Sequence, residues 1–250
     1  MKKNCALLIG KHNSGSVPGK NYMEILGRPA VEYPLLAASH CDCIDKIYVS
    51  TDSPVIMEIA SRYDAEIIDR PAELARADSP TEFVFQHAYE IISKREPELG
   101  MMALLFANSL DVLPEYLEKG FRMLTENDDY DSVVSICQYN MFTPLRARRL
   151  NIDSTTEPIL ELEKLGIENA FDRDAMGDVY FVDFGVQVVR PERCLKDPLG
   201  GALPFRWLGH KQGAIVKDFG FDIDAEWQIP TMQFWLEKHG FTSRVTPYDV

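Results

Sequence analysis

The sequence predicts an α/β fold of the Rossmann-like type, with three layers (α/β/α) and a mainly parallel sheet. Two observations support this prediction. Short apolar runs of strand length alternate with longer helical patterns over the first two-thirds of the chain, which is typical of βα units. The short runs are also apolar at successive positions, as expected for strands whose two faces are both covered by helices.

Local signals bound the elements of this alternation. The predicted strands cover residues 5–9, 46–50, 65–68, 101–106 and 132–138, and the predicted helices cover residues 31–39, 55–63, 81–93 and 115–124. Pro54 and Pro114 stand directly before two of these helices, with Ser53 and Asp111 as candidate capping residues. Right-handed crossovers then place the carboxyl ends of the strands at one edge of the sheet, where α/β proteins bind ligands.

The pattern changes after Gln138. Residues 140–174 contain a cluster of arginines, several acids and no clean periodicity. Strand patterns return at residues 179–182, 186–189 and 214–217, and a last helix is predicted at residues 225–239. No internal repeat and no linker rich in proline, glycine or serine divides the chain. We therefore predict a single domain over residues 1–250, with an inserted arm at residues 140–174.

The charge balance favours small ligands over polyanions. The 250 residues contain 26 lysines and arginines against 39 aspartates and glutamates, a formal net charge of −13, which repels nucleic acids and anionic membranes. No apolar stretch approaches the roughly 20 residues that span a bilayer. The first apolar run (residues 5–9) is too short for a secretory signal, and five cysteines are too few for a disulfide scaffold. We expect a cytoplasmic protein with reduced thiols and no nucleic-acid or membrane partner.

A loop rich in glycine, serine, asparagine and lysine follows the first predicted strand. Residues 10–21 read GKHNSGSVPGKN. This composition suits a phosphate cradle, because glycines let backbone N–H groups approach phosphate oxygens and lysines neutralise their charge. The spacing matches neither G-x-x-x-x-G-K-[ST] nor G-x-G-x-x-G. A solvated surface loop is the alternative, and the position at the carboxyl edge of the sheet favours the phosphate site.

Two further segments carry candidate binding residues. Asp222 and Asp224 precede the last helix, and two carboxylates on one side of an extended segment can hold a divalent cation, usually magnesium. The alternative is a helix N-cap with an extra acid. Arg70, after the third predicted strand, can pair with a phosphate or a base carbonyl, or else form a surface ion pair with Asp69 or Glu73. Serines and histidines show no nucleophile-elbow or triad spacing, so a hydrolase has no support.

Taken in order, these motifs resemble the acylneuraminate cytidylyltransferase (CMP-sialic acid synthetase) family, of which the chain is identified as a divergent member. That family opens with a strand, a loop of the form R-x-x-S-K-x-x-P-x-K-N and L-x-G-[KR]-P. It continues with V-S-T-D and R-P-x-E-L-A segments and closes with D-I-D before the last helix. The matching residues here are Ser14, Pro18, Lys20, Asn21, Leu26, Gly27, Arg28, Pro29, Val49, Ser50, Thr51, Asp52, Arg70 to Ala75, Asp222, Ile223 and Asp224. The resemblance spans residues 4 to about 238, and five motifs in register make it specific.

The chain departs from the family's pattern at four positions. Lys11 stands for the first arginine of the loop, and Gly15 stands for the loop lysine. Phe106 replaces a glutamine that would touch the sugar acid, and Gln228 replaces a further acid near the metal. The first two changes soften the contacts to the triphosphate, and the other two alter the acceptor pocket and the metal site.

The resemblance implies a fold of the nucleotide-diphospho-sugar transferase type and a reaction. CMP would pass from CTP to the anomeric hydroxyl of an acidic 2-keto-3-deoxy sugar, a sialic-acid-like nonulosonate, with release of pyrophosphate. A magnesium ion would be held by Asp222 and Asp224, which with Lys20 form the implied catalytic set. The implied nucleotide-binding residues are Lys11, Asn13, Ser14, Gly15, Asn21, Arg70 and Ala75, and the implied substrate-binding residues are Asn108, Arg146 and Arg148.

The arm at residues 140–174 resembles the family's dimerisation segment, so the resemblance also implies a homodimer. Arg146, Arg148 or Arg149 would then meet the sugar carboxylate of the partner's site, for which a guanidinium is well suited. Ordinary surface ion pairs of these arginines are the alternative.

Two other functions stay open at this point. One is a nucleotide-binding relative that has lost catalysis, and the other is a transferase that uses GTP or UTP and a neutral sugar phosphate. The retained Lys20, Arg70, Asp222 and Asp224 favour the enzyme, because a drifting site has no reason to keep its metal-binding acids.

Overall fold

The computed structural model describes residues 2–13, 15–76, 78–166 and 177–249. Its strands, numbered in chain order, are β1 (Lys3–Ile9), β2 (Glu24–Ile25), β3 (Arg28–Pro29), β4 (Lys46–Thr51), β5 (Glu66–Asp69), β6 (Leu99–Phe106), β7 (Ser132–Gln138), β8 (Arg148–Leu150), β9 (Thr156–Pro158), β10 (Tyr180–Val189) and β11 (Gln212–Lys217). Its α-helices are α1 (Glu32–Ser39), α2 (Pro54–Ser61), α3 (Ala72–Ala75), α4 (Thr81–Arg95), α5 (Pro114–Glu126), α6 (Pro191–Cys194) and α7 (Gln228–Lys238). The predicted strands and helices recur with boundaries shifted by at most three residues.

The described residues form a mostly parallel seven-stranded sheet of order β11-β7-β10-β6-β1-β4-β5. Strands β1, β4, β5 and β6 pair in parallel, as do β7 and β11, whereas β10 runs antiparallel to both β6 and β7. The prediction of an α/β fold with a mainly parallel sheet is therefore confirmed.

Helices cover both faces of the sheet because its central strands are apolar on both sides. In β1, Ala6 and Leu8 belong to one buried cluster, which also contains side chains of α1, α2 and α5. Leu7, one position between them, belongs to a second cluster with Phe85 of α4. Alternate side chains of a strand point to opposite faces, so these two clusters lie on opposite sides of the sheet.

The two predicted helix caps have different outcomes. Ser53 caps α2, since its hydroxyl accepts a hydrogen bond from the Ile56 amide at 3.4 Å. The prediction for Asp111 is wrong: the helix α5 begins after Leu113 with no side-chain cap, and the buried Asp111 carboxylate instead pairs with Lys217. The buried contact with Lys217 outweighs the weaker preference for capping a helix.

The two strand patterns predicted at residues 179–182 and 186–189 belong to one strand, β10. Its pairing with β7 shifts register between Val182 and Gln187. At the shift, Phe184 has a φ of 60°, in the left-handed region that a bulky residue rarely adopts. The interruption in the sequence pattern is therefore a bulge within a strand.

The predicted arm contains a small hairpin in which β8 pairs with β9, and the side chains of both strands are exposed. Its predicted end at residue 174 lies outside the described residues. All five cysteines are free, and four are buried. Among the helices of the described residues, none combines the length and the apolar character that crossing a bilayer requires.

Candidate active site

A cavity of about 210 Å³ opens at the carboxyl edge of the sheet. It lies where β1, β5 and β6 end, and the segment before α7 closes one side. The lining residues are Ile9, Gly10, Lys11, Lys20, Asn21, Arg70, Leu74, Arg76, Ser79, Thr81, Val84, Phe106, Asn108 and Asp222. Six residues predicted from the sequence thus meet in one cavity: Lys11, Lys20, Asn21, Arg70, Asn108 and Asp222.

The loop at residues 10–21 is anchored at both ends. A Cβ atom on Gly10 would lie 2.8 Å from Cβ of Ala107, so only glycine lets the chain pass this close to β6. Asn21 is buried and donates from its side chain to the Lys11 carbonyl at 2.8 Å. These contacts hold the start and the end of the loop together beside the cavity.

His12 gives the loop a further anchor that the sequence interpretation missed. Its backbone amide donates to Asp52 at 2.9 Å, and its ring nitrogen Nδ1 lies 3.0 Å from the Ser53 hydroxyl. The ring also stacks on Tyr22. Asp52 ends the V-S-T-D segment, so that motif supports the loop. The sequence signal for this anchoring role was the position of His12 inside a loop that carries a recognisable motif.

The loop and the acidic segment converge although they lie near opposite ends of the chain. Lys20 forms an ion pair with the carboxylate of Asp224, 204 positions away in sequence. The Ser16 hydroxyl also donates to this carboxylate, at 3.3 Å. The ammonium group is mostly shielded, with 12 % of the Lys20 side chain exposed, and this shielding strengthens its field inside the cavity.

Asp222 faces the cavity and is held by Asn108. The Asn108 side chain donates to the Asp222 carboxylate at 3.0 Å and to the Ile223 carbonyl at 3.1 Å. The Ile223 amide donates back to the Asn108 carbonyl at 2.9 Å. Burial, together with the negative charge of Asp224, raises the pKa of Asp222 above its ordinary value. The site thus brings together two carboxylates that repel each other.

This donor set fits magnesium, which binds through one or two carboxylates and completes its shell with water and substrate phosphates. Asp222 and Asp224 supply the two carboxylates, and a cation between them would relieve the repulsion that raises the pKa of Asp222. In the part of the chain that the structure describes, no group of three or more histidine, cysteine, aspartate or glutamate side chains is arranged for a metal. A metal here would therefore complete its shell with oxygens from water and from a bound substrate.

The opposite side of the cavity is formed by residues after β5. Arg70 is buried and donates to the Ser50 carbonyl at 2.5 Å. Desolvation lowers the pKa of Arg70 to about 10, so the group is still charged at neutral pH. The Ala75 amide donates to the carbonyl of Pro71, the residue before α3, at 3.2 Å. Its neighbours Leu74 and Arg76 line the cavity.

Four other predicted residues that the structure describes, Asn13, Gly15, Arg146 and Arg148, are not among those lining the cavity. Asn13 and Gly15 are exposed in the loop, and Ser14 lies outside the described residues. Arg146 ends a short 3₁₀ turn of the arm. Arg148 lies in the hairpin, where it donates to the Thr156 hydroxyl at 2.9 Å.

The architecture places the chain in a known class of α/β fold. It superposes on a structure entitled CMP:2-keto-3-deoxy-manno-octonic acid synthetase complexed with CTP, with a TM-score of 0.65 and 14% identity, covering 94% of this chain and 99% of that one. A 4-diphosphocytidyl-2C-methyl-D-erythritol synthase structure gives a TM-score of 0.62 at 11% identity, covering 94% of this chain and all of that one (100%). At these identities the likeness establishes the fold alone.

Sequence comparison identifies the family. Residues 6–171, well over half of the chain, match the profile of the family described as "Cytidylyltransferase". The chain belongs to this cytidylyltransferase family, as the motifs predicted.

Curated relatives are distant. An N-acylneuraminate cytidylyltransferase of Escherichia coli is 28% identical over 139 residues, which is 55% of this chain and 32% of that protein. A pseudaminic acid cytidylyltransferase of Campylobacter jejuni is 24% identical over 126 residues, which is 50% of this chain and 54% of that protein. The chain therefore matches about a third to a half of the length of these two relatives.

Proposed function

We propose that this protein transfers CMP from CTP to the anomeric hydroxyl of an acidic 2-keto-3-deoxy sugar, a sialic-acid-like nonulosonate, and releases pyrophosphate. The observation that carries the proposal is the contact of Lys20 with Asp224, which joins the loop at residues 10–21 to the acidic pair beside one cavity. Relatives named for N-acylneuraminate and for pseudaminic acid support an acidic sugar as acceptor.

In this proposal the chain's cations bind and neutralise the triphosphate. Lys11 and Lys20 line the cavity at the loop, where ammonium groups pair with phosphate oxygens. Asn21 keeps the two ends of the loop together through Lys11. Arg70, fixed against Ser50, and the backbone around Ala75 would contact the cytosine base.

The reaction depends mainly on how the protein positions the reacting groups. The anomeric hydroxyl releases its proton to solvent and its oxygen attacks the α-phosphorus in line. The bond from the α-phosphorus to the bridging oxygen breaks, and pyrophosphate leaves with the electron pair of that bond. Asp222 and Asp224 would hold magnesium, which when bound supplies charge neutralisation and lowers the pKa of a nearby hydroxyl. Asn108 keeps Asp222 in place. In such transfers orientation and electrostatic stabilisation provide most of the acceleration.

We further propose that the arm at residues 140–174 joins two copies of the chain and that Arg146 and Arg148 meet the sugar carboxylate across the interface. Exposed apolar side chains on the arm support this proposal, because a second copy that covers them would remove apolar surface from water. They are Met141, Phe142, Leu150, Ile152, Ile159 and Leu165.

The test is pyrophosphate release from CTP with magnesium and a panel of nonulosonic and octulosonic acids. We expect release with at least one acid. Lys20→Met should lower kcat by about 10²-fold or more, as loss of a transition-state contact does. Lys119→Met, a matched change on the exposed side of α5, should leave kcat unchanged.

Nucleotide binding is measured alongside turnover. CTP should raise the melting temperature more than ATP, GTP or UTP, because the ligand that binds most tightly stabilises most. CTP binding without release from any acid would contradict the proposal and support a non-catalytic relative. A larger shift with GTP or UTP would point to a different nucleotide.

A further inference from the structure

Phe106 lines the cavity at the end of β6, and three further aromatic residues continue from it in a chain of ring contacts. The Phe106 ring meets that of Phe184 edge to face at a centroid distance of 5.6 Å. Phe184 meets Phe205 in the same way at 4.9 Å, and Trp207 packs against both. We call Phe106, Phe184, Phe205 and Trp207 the aromatic wall. Its three phenylalanines are only partly buried.

The order of the strands indicates what this wall faces. Arg70 follows β5, on one side of β1, whereas β6 and β10 lie on the other side. If the base lies at Arg70 and the triphosphate at the loop, the acceptor must reach the α-phosphorus from the side opposite the departing pyrophosphate. That side adjoins Asn108 and Asp222, and Phe106 lies two positions before Asn108. This placement rests on the proposed function.

The position of the Phe184 ring is built into the fold. Its φ of 60° is unfavourable for a bulky residue, so neighbouring contacts must hold the backbone there. The adjacent Asp183 carboxylate accepts from the Gly185 amide at 3.0 Å, and the Ser135 hydroxyl accepts from the Val186 amide at 2.8 Å. Ser135 also bonds to Asp183. These hydrogen bonds fix the bulge and so hold the Phe184 ring in place.

We propose that Phe106 and Phe184 determine acceptor specificity by selecting sugar acids that turn an apolar substituent, a deoxy carbon or an acyl methyl group, toward the aromatic wall. An aromatic ring offers a hydroxyl no hydrogen-bond partner comparable to water, so a hydroxyl pressed against it loses bonding. A methyl group in the same place gains by leaving water. An amide at the position of Phe106 would reverse this preference.

The experiment compares kcat/KM for two acceptors of the same chain length. One is a nonulosonic acid with two acetamido groups and a terminal methyl group, and the other carries hydroxyls at those positions. The wild type should prefer the first by about tenfold or more, the range that small apolar groups give in a pocket. Phe106→Gln should remove most of this preference, whereas Phe106→Leu should keep it. Phe234→Gln, on the exposed face of α7, is the matched control and should leave the ratio unchanged.

Phe184→Asn provides a second variant, because asparagine adopts the left-handed conformation readily. It should lower the preference in the same direction, and an unchanged CTP-induced melting shift verifies its folding. The inference is overturned if the wild type releases pyrophosphate without preferring the apolar acceptor, or if both polar variants keep the wild-type ratio. The proposed function survives these results. Absence of release with either acid would overturn the proposed function and the inference together.

Discussion

Burial and the neighbouring Asp224 carboxylate both raise the pKa of Asp222. A carboxyl group whose pKa is higher in the folded protein than in the unfolded chain favours folding only while it is protonated. This contribution is complete below the unfolded value of about 4 and is lost as the pH rises through the folded value. At neutral pH the Asp222 carboxyl group therefore makes the free energy of unfolding lower than it is in acid, the opposite of a carboxylate held by a cation.

We predict that Asp222→Asn raises the free energy of unfolding of the ligand-free protein at pH 7, with a smaller gain at pH 4. Asparagine keeps an oxygen for Asn108 but removes the repulsion from Asp224. Pyrophosphate release should fall by about 10²-fold or more. Urea unfolding without divalent metal measures the first effect.

Asp218→Asn is the matched control for this prediction. The hydrogen bond from Lys238 lowers the pKa of Asp218. Removing the charge of Asp218 should therefore not raise the free energy of unfolding at pH 7. If Asp222→Asn is less stable than the wild type at pH 7, the carboxylate is held by contacts stronger than the repulsion.

Some residues of the loop at residues 10–21 face the cavity, and others face solvent. Lys11, Lys20 and Asn21 line the cavity, while Asn13 and Gly15 remain exposed. A Cβ atom on Gly15 would meet nothing within 4 Å. The loop therefore has room for a side chain at the position where the resembled family carries a lysine.

We predict that Gly15→Lys tightens the binding of CTP. One more ammonium near the triphosphate adds about 1 kcal/mol in a partly exposed setting, or about fivefold in Kd. The gain should shrink at high salt because an exposed charge is screened. Gly15→Ala, which restricts the backbone without adding charge, is the control. Equal CTP affinity for the lysine and alanine variants, measured by calorimetry, would contradict the prediction.

At the level of elements, most of the fold follows from local pattern. The boundary of α7 does not: the helix was predicted from residue 225, yet it begins at Gln228. The Gln228 side-chain oxygen accepts from the Asp224 and Ala225 amides, at 2.6 Å each. The residue that replaces a family acid thus fixes the turn that carries Asp224. Periodicity could not show this contact, because it depends on a side chain that folds back.

Some features of the candidate site could likewise be predicted from the sequence, and others could not. The convergence of Lys20 with Asp222 and Asp224 could be predicted, since parallel strands bring their ends to one edge. The roles of Phe184 and Lys217 could not, because each depends on packing between elements far apart in sequence. Nothing in the sequence distinguishes Phe184, which has a positive φ, from other phenylalanines, or the fully buried Lys217 from other lysines.

For the whole molecule, the arm offers a test of assembly. Ile152 and Leu150 of the hairpin are exposed, and burial of such side chains is worth about 1.5–3 kcal/mol each. We predict that the protein sediments as a dimer and that Ile152→Asp shifts it toward the monomer. Phe234→Asp on α7 should leave the dimer intact. A monomeric wild type at micromolar concentration would contradict the proposal.

A buried charge cluster links three distant parts of the molecule. The Lys217 ammonium lies 2.5 Å from the Asp111 carboxylate and 3.1 Å from that of Asp183, and all three side chains are inaccessible to solvent. A Cβ atom on Gly220 would lie 2.3 Å from both carboxylates, so glycine lets the chain that leads to Asp222 pass over them. Two acids share one cation in this cluster. Desolvation and the charge of Asp183 together raise the pKa of Asp111 to about 7, despite Lys217.

This cluster should make stability depend on pH. Because the pKa of Asp111 is raised in the folded protein, we expect a pH range above about 4 in which the unfolded chain has released the Asp111 proton while the folded protein still binds it. The free energy of unfolding then falls as the pH rises, by up to about 1.4 kcal/mol per pH unit. We predict that Asp111→Asn flattens this slope, as measured by urea unfolding at pH 5, 6, 7 and 8. Lys217→Met should instead lower the free energy of unfolding by about 3–5 kcal/mol at pH 7, because two buried carboxylates then lack their cation. The decrease should be smaller at pH 5. Parallel slopes for Asp111→Asn and the wild type would mean that Asp111 stays ionised throughout, with Lys217 outweighing its burial.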